Sequence, residues 1–581
     1  MSVSFGQYGD LLRRYLAPDL GKALLLGVLL LANVGFQLLG PQILRSFIDG
    51  AAAGAPGDAL TITALLFLGV ALAHQGLGVA AAYVGEDVGW RSTNRLRADL
   101  ASHCLRLDMP FHNARTPGEM IERIDGDVTA LALFFSQIVM RIVGSLLLLI
   151  GAVVLLFRED WRIGVAMLLF AIVAITLLAR FRELAVPHLR DEREASAGVF
   201  GFVEERLAGL DDIRSRGAGR YVMRGLYGVM RRLFHQARRA WMMGSLVEAL
   251  VVGLFAMAYV MALGLGGNLF LAGAITLGTA FLFFQYTDML RTPIEQLTHE
   301  VRQLQTATAG IVRIGELLRI EPKILDGPIE RLPEGPLGVA FEAVSFRYAA
   351  DTPVLEDVSF ALEPGRVLGL LGRTGSGKTT ISRLLFRLYE PTAGVVRVGG
   401  ADLGQVRVEG LRRRIAMVTQ EVQLFDASVR DNLTFFYRAI DDDKLRAVLE
   451  DLGLTSWLAQ LPDGLDTRLR GGGAALSAGE AQLLAVARAF LADPGLIVLD
   501  EPSSRLDPAT ERLIEGAMGR LLAGRTAIVI AHRLQTVERA DDILILEDGR
   551  MREWGRRADL AARPESRFAE LLRVGLEEVL A

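Results

Sequence analysis

Apolar positions come in six long blocks in the first half of the chain and in short alternating or solid runs in the second. The blocks span residues 23–39, 59–84, 138–157, 163–178, 247–265 and 275–290. Each approaches the ~20 residues that a bilayer-spanning helix needs, so the pattern predicts six crossings. The first block is too long for the core of a signal peptide and lacks a small-residue cleavage site after it, which predicts a retained helix. Beyond residue 338 the pattern shifts to short β-rich segments such as 338–348 and 366–371 alternating with helical ones, the pattern of a mixed α/β domain. A proline-rich stretch with Pro322, Pro328, Pro333 and Pro336 separates the two regimes. The expected organisation is a membrane domain over 1–325, a linker over 326–337 and a second domain over 338–581.

Arginine placement orients the crossings, because short basic loops stay on the cytoplasmic side. Thirteen arginines lie in 180–239, and Arg91, Arg95, Arg97, Arg106, Arg115 and Arg123 fill the stretch between the second and third blocks. The stretch 40–58 has only Arg45, and 266–274 has no basic residue. Both termini are therefore expected in the cytoplasm. The two basic stretches are longer than a turn requires and keep helical periodicity, so helices extend past the bilayer. Breaker clusters at 111–118 and 207–210 predict tips there, each presenting a short transverse helix to another domain, with simple bends as the alternative.

Composition narrows the class. The chain has 581 residues, 51% of them hydrophobic, with mean hydropathy +0.34, which is too long for one core and too apolar for an ordinary soluble enzyme. A net charge of −4 gives no reason to expect a nucleic-acid partner. The one cysteine, Cys104, excludes an intramolecular disulfide and a multi-cysteine metal site, and reads as a packing residue.

Chemistry concentrates in the second half. Gly372, Arg373, Thr374, Gly375, Ser376, Gly377, Lys378 and Thr379 follow a strand predicted at 367–371 and open a helix, the setting in which this string cradles phosphates. Glycines let backbone N–H groups converge on the phosphate oxygens, Lys378 adds charge, and Thr379 can ligate Mg²⁺. The chain has four lysines among 63 Lys and Arg residues, yet keeps lysine here, where a compact ammonium is wanted. Residues 496–501 read as a buried strand ending in Asp500 and Glu501, the first able to reach Mg²⁺ and the second able to polarise an attacking water. Ser477 and Glu480 have the spacing of a capping box and start a helix through 481–490 whose free N–H groups attract an anion.

Leu476-Ser477-Ala478-Gly479-Glu480 resembles the Leu-Ser-Gly-Gly-Gln signature of the ATP-binding-cassette transporters. With six crossings, long cytoplasmic helix extensions and a C-terminal cassette, the chain resembles their exporter-type half-transporter over nearly its whole length. The resemblance implies an all-α six-helix transmembrane domain followed by an α/β P-loop ATPase domain in the cytoplasm, set in a bacterial inner membrane. It implies Tyr348 as the aromatic stacking on adenine, Thr380 beside the phosphate loop, Gln420 in the loop between nucleotide and membrane domain, Asp507 in the inter-subunit loop and His532 near the γ-phosphate. Gln420 also joins Thr379 and Asp500 as an implied Mg²⁺ ligand. Ser477 and Gly479 are implied to meet the γ-phosphate of ATP on a second cassette, so dimerisation belongs to the chemistry.

Two departures bear on the partner. Ala478 and Glu480 replace glycine and glutamine, and 469–473 lacks the family's usual glutamate. These changes favour a heterodimer with a second half-transporter over a homodimer tolerating a variant signature. ATP-driven export of an amphipathic small molecule, lipid or peptide is the leading function; import on the same scaffold and an ATP-gated channel or regulatory subunit are the alternatives. Arg141, Glu248 and Asp288 lie in or beside apolar blocks and predict an inner gate or cavity lining, with a solvated helix extension as the alternative.

Overall fold

The computed structural model describes residues 14–133, 139–349, 352–437, 440–469, 476–500, 508–531 and 537–574, with side chains for all of these except 133, 139–140, 298–308, 349, 508–509 and 574. Glu501, Asp507 and His532 lie outside the described residues. The chain divides into two compact units, 1–105 with 116–320, and 106–115 with 321–581.

Helices make up the first unit. Among the described residues, five are long and apolar enough to cross a membrane, and they carry the first five apolar blocks. Gly57–Arg106, Trp161–Ala208 and Gly219–Leu271 have 50, 48 and 53 residues. At 1.5 Å per residue these reach about 70–80 Å, more than twice a ~30 Å hydrocarbon layer, so the predicted extensions are present. Leu24, Val28, Leu31, Leu65 and Leu72 stand exposed, as lipid-facing positions must. Inside, Leu156, Ile163, Met167, Leu178, Phe255 and Phe283 pack into one buried cluster.

The sixth block differs from the others. It forms the helix Leu277–Met289, 13 residues long, and the chain passes at Leu290 straight into a second helix, Arg291–Leu318. Pro293 explains the break: it has no N–H to offer the carbonyl of Met289, and its ring crowds that turn. At the start of the short helix, Asp49 accepts from the Gly278 amide at 2.8 Å and from the Thr276 hydroxyl at 2.7 Å, while Arg45 pairs with Glu159 at 2.6 Å. The predicted bend at 207–210 appears as the end of one helix at Ala208 and the start of another, Leu210–Ser215, after Gly209.

The second unit is built on a six-stranded sheet. Its strands are β3 (Val367–Gly372), β6 (Ile415–Val418), β9 (Leu496–Asp500), β10 (Thr526–Ile530), β11 (Asp542–Glu547) and β12 (Arg550–Arg556), in the order β12-β11-β3-β10-β9-β6. All pairs are parallel except β11 with β12. Helices cover the parallel strands, so Leu368, Leu370, Val498, Ile528 and Ile530 are buried, and the runs read as solidly apolar rather than alternating. A four-stranded antiparallel sheet holds β1 (Val339–Ala349), β2 (Thr352–Leu362), β4 (Ala393–Val398) and the short β5 (Ala401–Asp402), and a two-stranded one pairs β7 (Ala427–Ser428) with β8 (Arg468–Leu469).

Residues 321–337 are stitched along this unit. Ile329 pairs with Val406 in parallel, and the guanidinium of Arg387, 3% exposed, donates to the carbonyls of Leu325 at 2.8 Å and Val406 at 2.7 Å. The expected transverse helix is Met109–Asn113, and it packs within this second unit, with Met109 against the sheet core and Asp108 accepting from the Lys323 amide at 2.5 Å.

Candidate functional site

Parallel strands place their C-terminal ends along one edge, and loops following those ends form the binding crevice of such sheets. Here β3 runs into residues 373–377, and β9 ends at Asp500, paired with Ile530 of the intervening β10. The sequence-predicted phosphate loop and carboxylate strand therefore meet at the same edge.

Backbone conformation shapes the loop. Gly375 and Gly377 have φ of +86° and +104°, in the left-handed region, and a Cβ on Gly377 would lie 2.6 Å from Leu355 Cδ2. These conformations turn successive amides toward the inside of the loop before the helix Lys378–Leu385 begins. Lys378 is buried, and its ammonium donates to the carbonyls of Gly372 and, at 2.9 Å, Arg373. Ser376 Oγ is buried with no hydrogen-bond partner among the described residues. A buried hydroxyl costs free energy unless something accepts from it, and a phosphate oxygen seated in the loop would do so.

Tyr348 stands beside the loop. Its hydroxyl lies 3.2 Å from Thr380 Oγ1 and accepts from Arg383 at 3.0 Å, and the residue is 45% exposed. Thr379 at the helix start and Thr374 in the loop are exposed. Thr379, Asp500 and Gln420 offer hydroxyl, carboxylate and amide oxygens, the hard donor set that suits Mg²⁺.

A second group forms at the helix Ala478–Leu491. Ser477 and Glu480 make the full capping box that their spacing predicts, with Ser477 Oγ accepting from the Glu480 amide at 3.2 Å and the Glu480 carboxylate accepting from the Ser477 amide at 2.7 Å. Gly479 is buried and Ala478 exposed. Gln482, not singled out in the sequence, donates to the backbone carbonyl of Gln420 at 2.7 Å and so ties this helix to the loop carrying that glutamine. Its other amide atom, Oε1, is buried without a partner among the described residues. On the same helix Arg488 donates to the carbonyls of Asn432 at 2.7 Å and Gln423 at 2.9 Å, and burial lowers its pKa to about 10. Their spacing from Ser477 along one helix was the available signal; their partners, some 50 to 65 residues away in sequence, were not readable.

The structure thus joins Tyr348 to the phosphate loop and Gln420 to the capped helix. In the helical unit, Asn33, Gln37, Arg141 and Asp288 line one cavity of about 490 Å³ together with Ser145 and Gln296. Glu248 lines a separate cavity of about 430 Å³ with Glu192 and Trp241.

Comparison with known proteins matches both units. The family described as "ABC transporter transmembrane region" matches residues 23–294, and the one described as "ABC transporter" matches residues 355–504. An ATP-dependent lipid A-core flippase of Pseudomonas fluorescens is 32% identical over 585 aligned positions, covering 95% of this chain and 94% of that protein. A fatty acid ABC transporter ATP-binding/permease protein of Mycobacterium bovis is 31% identical over 469, covering 81% of this chain and 74% of that protein. A solved structure of a bacterial Atm1-family ABC exporter with ATP bound shares the fold, with a TM-score of 0.80 at 23% identity over 97% of this chain and 99% of that one.

Proposed function

On the premise that this chain belongs to the ABC transporter family, as a half-transporter whose ATP hydrolysis drives transport, we propose that it exports an amphipathic molecule across a bacterial inner membrane. Residues 1–325 form the path, 326–337 the linker and 338–581 the cytoplasmic nucleotide-binding domain. The observation that carries the cargo class is the 490 Å³ cavity, where amide, guanidinium, hydroxyl and carboxylate groups of Asn33, Gln37, Arg141, Ser145, Asp288 and Gln296 meet apolar Leu30, Val34 and Leu148. Such a lining offers hydrogen-bond and charge partners to a polar head and apolar contact to a body. Fatty acid and lipid A-core, the cargoes in the relatives' names, are both amphiphiles.

In this reading Gly372, Thr374, Gly375, Ser376, Gly377 and Lys378 hold the phosphates, Tyr348 seats the base and Thr380 steadies its ring. Thr379, Asp500 and Gln420 hold Mg²⁺, which when bound neutralises charge on the transferring phosphoryl group. Glu501 orients the attacking water and His532 contacts the γ-phosphate. Ser477, Gly479 and Asp507 complete the site of a second half-transporter, and Ala478 with Glu480 makes that partner a different chain. ATP binds the closed cassette pair better than the open one, and this difference in affinity moves the membrane helices.

Inside-out vesicles carrying the chain together with its partner half-transporter test this directly. ATP should drive uptake of a fluorescent fatty acid or lysolipid, Lys378→Ala should abolish it, and Glu501→Gln should keep ATP binding while turnover is largely lost. ATP-dependent ionic current that persists without hydrolysis would replace the pump by a channel. Robust ATPase activity of this chain purified alone would remove the need for a second kind of subunit.

A further inference from the structure

Three aromatic rings meet edge to face behind the phosphate loop. Tyr348 and Tyr389 have centroids 5.1 Å apart at 87°, Phe346 and Tyr348 4.8 Å apart at 89°, and Phe346 and Tyr389 5.6 Å apart at 71°. Phe346 and Tyr389 are 5% and 7% exposed, whereas Tyr348 is 45% exposed, so two buried rings brace one open ring. Edge-to-face pairs fix ring orientation as well as adding contact. On its far side, the hydroxyl of Tyr389 accepts a 2.6 Å hydrogen bond from Asn113 Nδ2, at the end of the helix Met109–Asn113. That helix follows in sequence on Gly57–Arg106, the 50-residue helix of the first unit. Asp108, at its other end, holds the Lys323 amide, and Arg387, two residues before Tyr389, grips the carbonyl of Leu325.

We propose that Tyr389 is a positioning residue that links the seat for the nucleotide base, Tyr348, to the helix Met109–Asn113. The proposal rests on the reading of Tyr348 as the base seat. A base stacked on the open face of Tyr348 restricts that ring, the ring presses edge-on against Tyr389, and Tyr389 holds Asn113 through its hydroxyl. Thr380 and Arg383 bind the Tyr348 hydroxyl from the phosphate-loop helix, so base and phosphates reach the same ring from two directions. An unbroken series of packed and hydrogen-bonded side chains is what carries such coupling.

The test uses the full chain in nanodiscs, a non-hydrolysable ATP analogue, and hydrogen exchange of segment 108–115. In the wild type the analogue slows exchange of that segment. Asn113→Leu should leave analogue affinity within about twofold of wild type yet shrink the exchange response about threefold or more, the loss expected when one hydrogen bond of this kind is removed. Tyr389→Phe should shrink it equally, and the double variant no further. Asn113→Asp, whose carboxylate accepts from the Tyr389 hydroxyl, should restore it. Tyr389→Leu also removes the ring and should weaken analogue binding about three- to tenfold. A wild-type exchange response in both Asn113→Leu and Tyr389→Phe overturns the link. Unchanged analogue affinity in Tyr348→Leu overturns the base seat itself, whatever the segment does.

Discussion

Glu480 caps the helix that begins beside it: its carboxylate accepts from the Ser477 amide at 2.7 Å, while Ser477 Oγ accepts from the Glu480 amide at 3.2 Å. The anion that the helix start attracts is thereby supplied in part by the protein. Glutamine would keep the acceptor and remove the charge. A like charge near a phosphate, at an effective dielectric near 20, costs on the order of 1–2 kcal/mol. Glu480→Gln should therefore lower, by about fivefold or more, the ATP-analogue concentration that brings paired cassettes together, measured by fluorescence transfer between them. Ser477→Ala should act the other way, losing about 1 kcal/mol of cap. An unchanged or higher concentration for Glu480→Gln would show that its charge does not oppose closure.

Gly377 and Gly375 separate strain from collision. Both have positive φ, but a Cβ on Gly377 meets Leu355 Cδ2 at 2.6 Å and Val354 O at 3.0 Å, whereas one on Gly375 meets nothing within 4 Å among the described residues. Gly375→Ala should cost only the backbone strain of about 1 kcal/mol. Gly377→Ala adds the collision and should cost about 2–4 kcal/mol, with ATP affinity lowered at least tenfold. Nucleotide titration of the two variants checks the order, and equal losses would deny that contact with Val354 and Leu355 sets the loop.

How far the sequence reveals this protein depends on the range of the interaction. The strand predicted at 367–371 is β3 at Val367–Gly372, and the strand ending at Asp500 is β9, because both are solid apolar runs bounded by turn residues. The cap at Ser477 is legible because its two bonds span three residues. The break at Leu290 falls where the apolar block 275–290 ends, and Pro293 marks it. Tyr389 with Asn113 lies beyond such reading: Asn113 sits in the breaker cluster 111–118, but its partner is 276 residues away and in no motif. Arg387 is partly so: this cation, 3% exposed, pairs with the Glu390 carboxylate three residues on at 2.8 Å, which spacing could suggest, but its bonds to the carbonyls of Leu325 and Val406 could not be read.

Asp49 carries the start of the short helix Leu277–Met289 through two hydrogen bonds, to the Gly278 amide and the Thr276 hydroxyl. Replacing it by alanine leaves both donors without this acceptor, and with a charged acceptor lost the cost is about 2–3 kcal/mol. For a helical unit of this size that lowers Tm by about 4–6 °C. Asp58→Ala, an exposed site on the neighbouring helix, should change Tm by less than about 1 °C. Thermal unfolding in detergent measures both, and equal shifts would remove Asp49 from this role.

Arg488 supplies a prediction whose pH dependence is fixed by sign. Burial lowers its pKa from the ordinary 12.5 to about 10, so the folded protein releases this proton more readily than the unfolded chain. The unfolded state therefore binds more protons only between these two values, and this group's contribution to stability rises with pH only there. Below about pH 9 the guanidinium is charged in both states and its contribution is flat. In that range it donates to Asn432 O, Gln423 O and Asn432 Oδ1, and its guanidinium lies 4.7 Å from the centroid of the Phe435 ring. Arg488→Met retains much of the stem but leaves those acceptors unserved, at a cost of about 2–3 kcal/mol. Denaturant unfolding at pH 6, 7.5 and 9 should show the same loss at all three. A loss that grows or shrinks by more than about 1 kcal/mol across this range would mean that another titrating group, not the buried guanidinium, holds segment 423–435 to the helix.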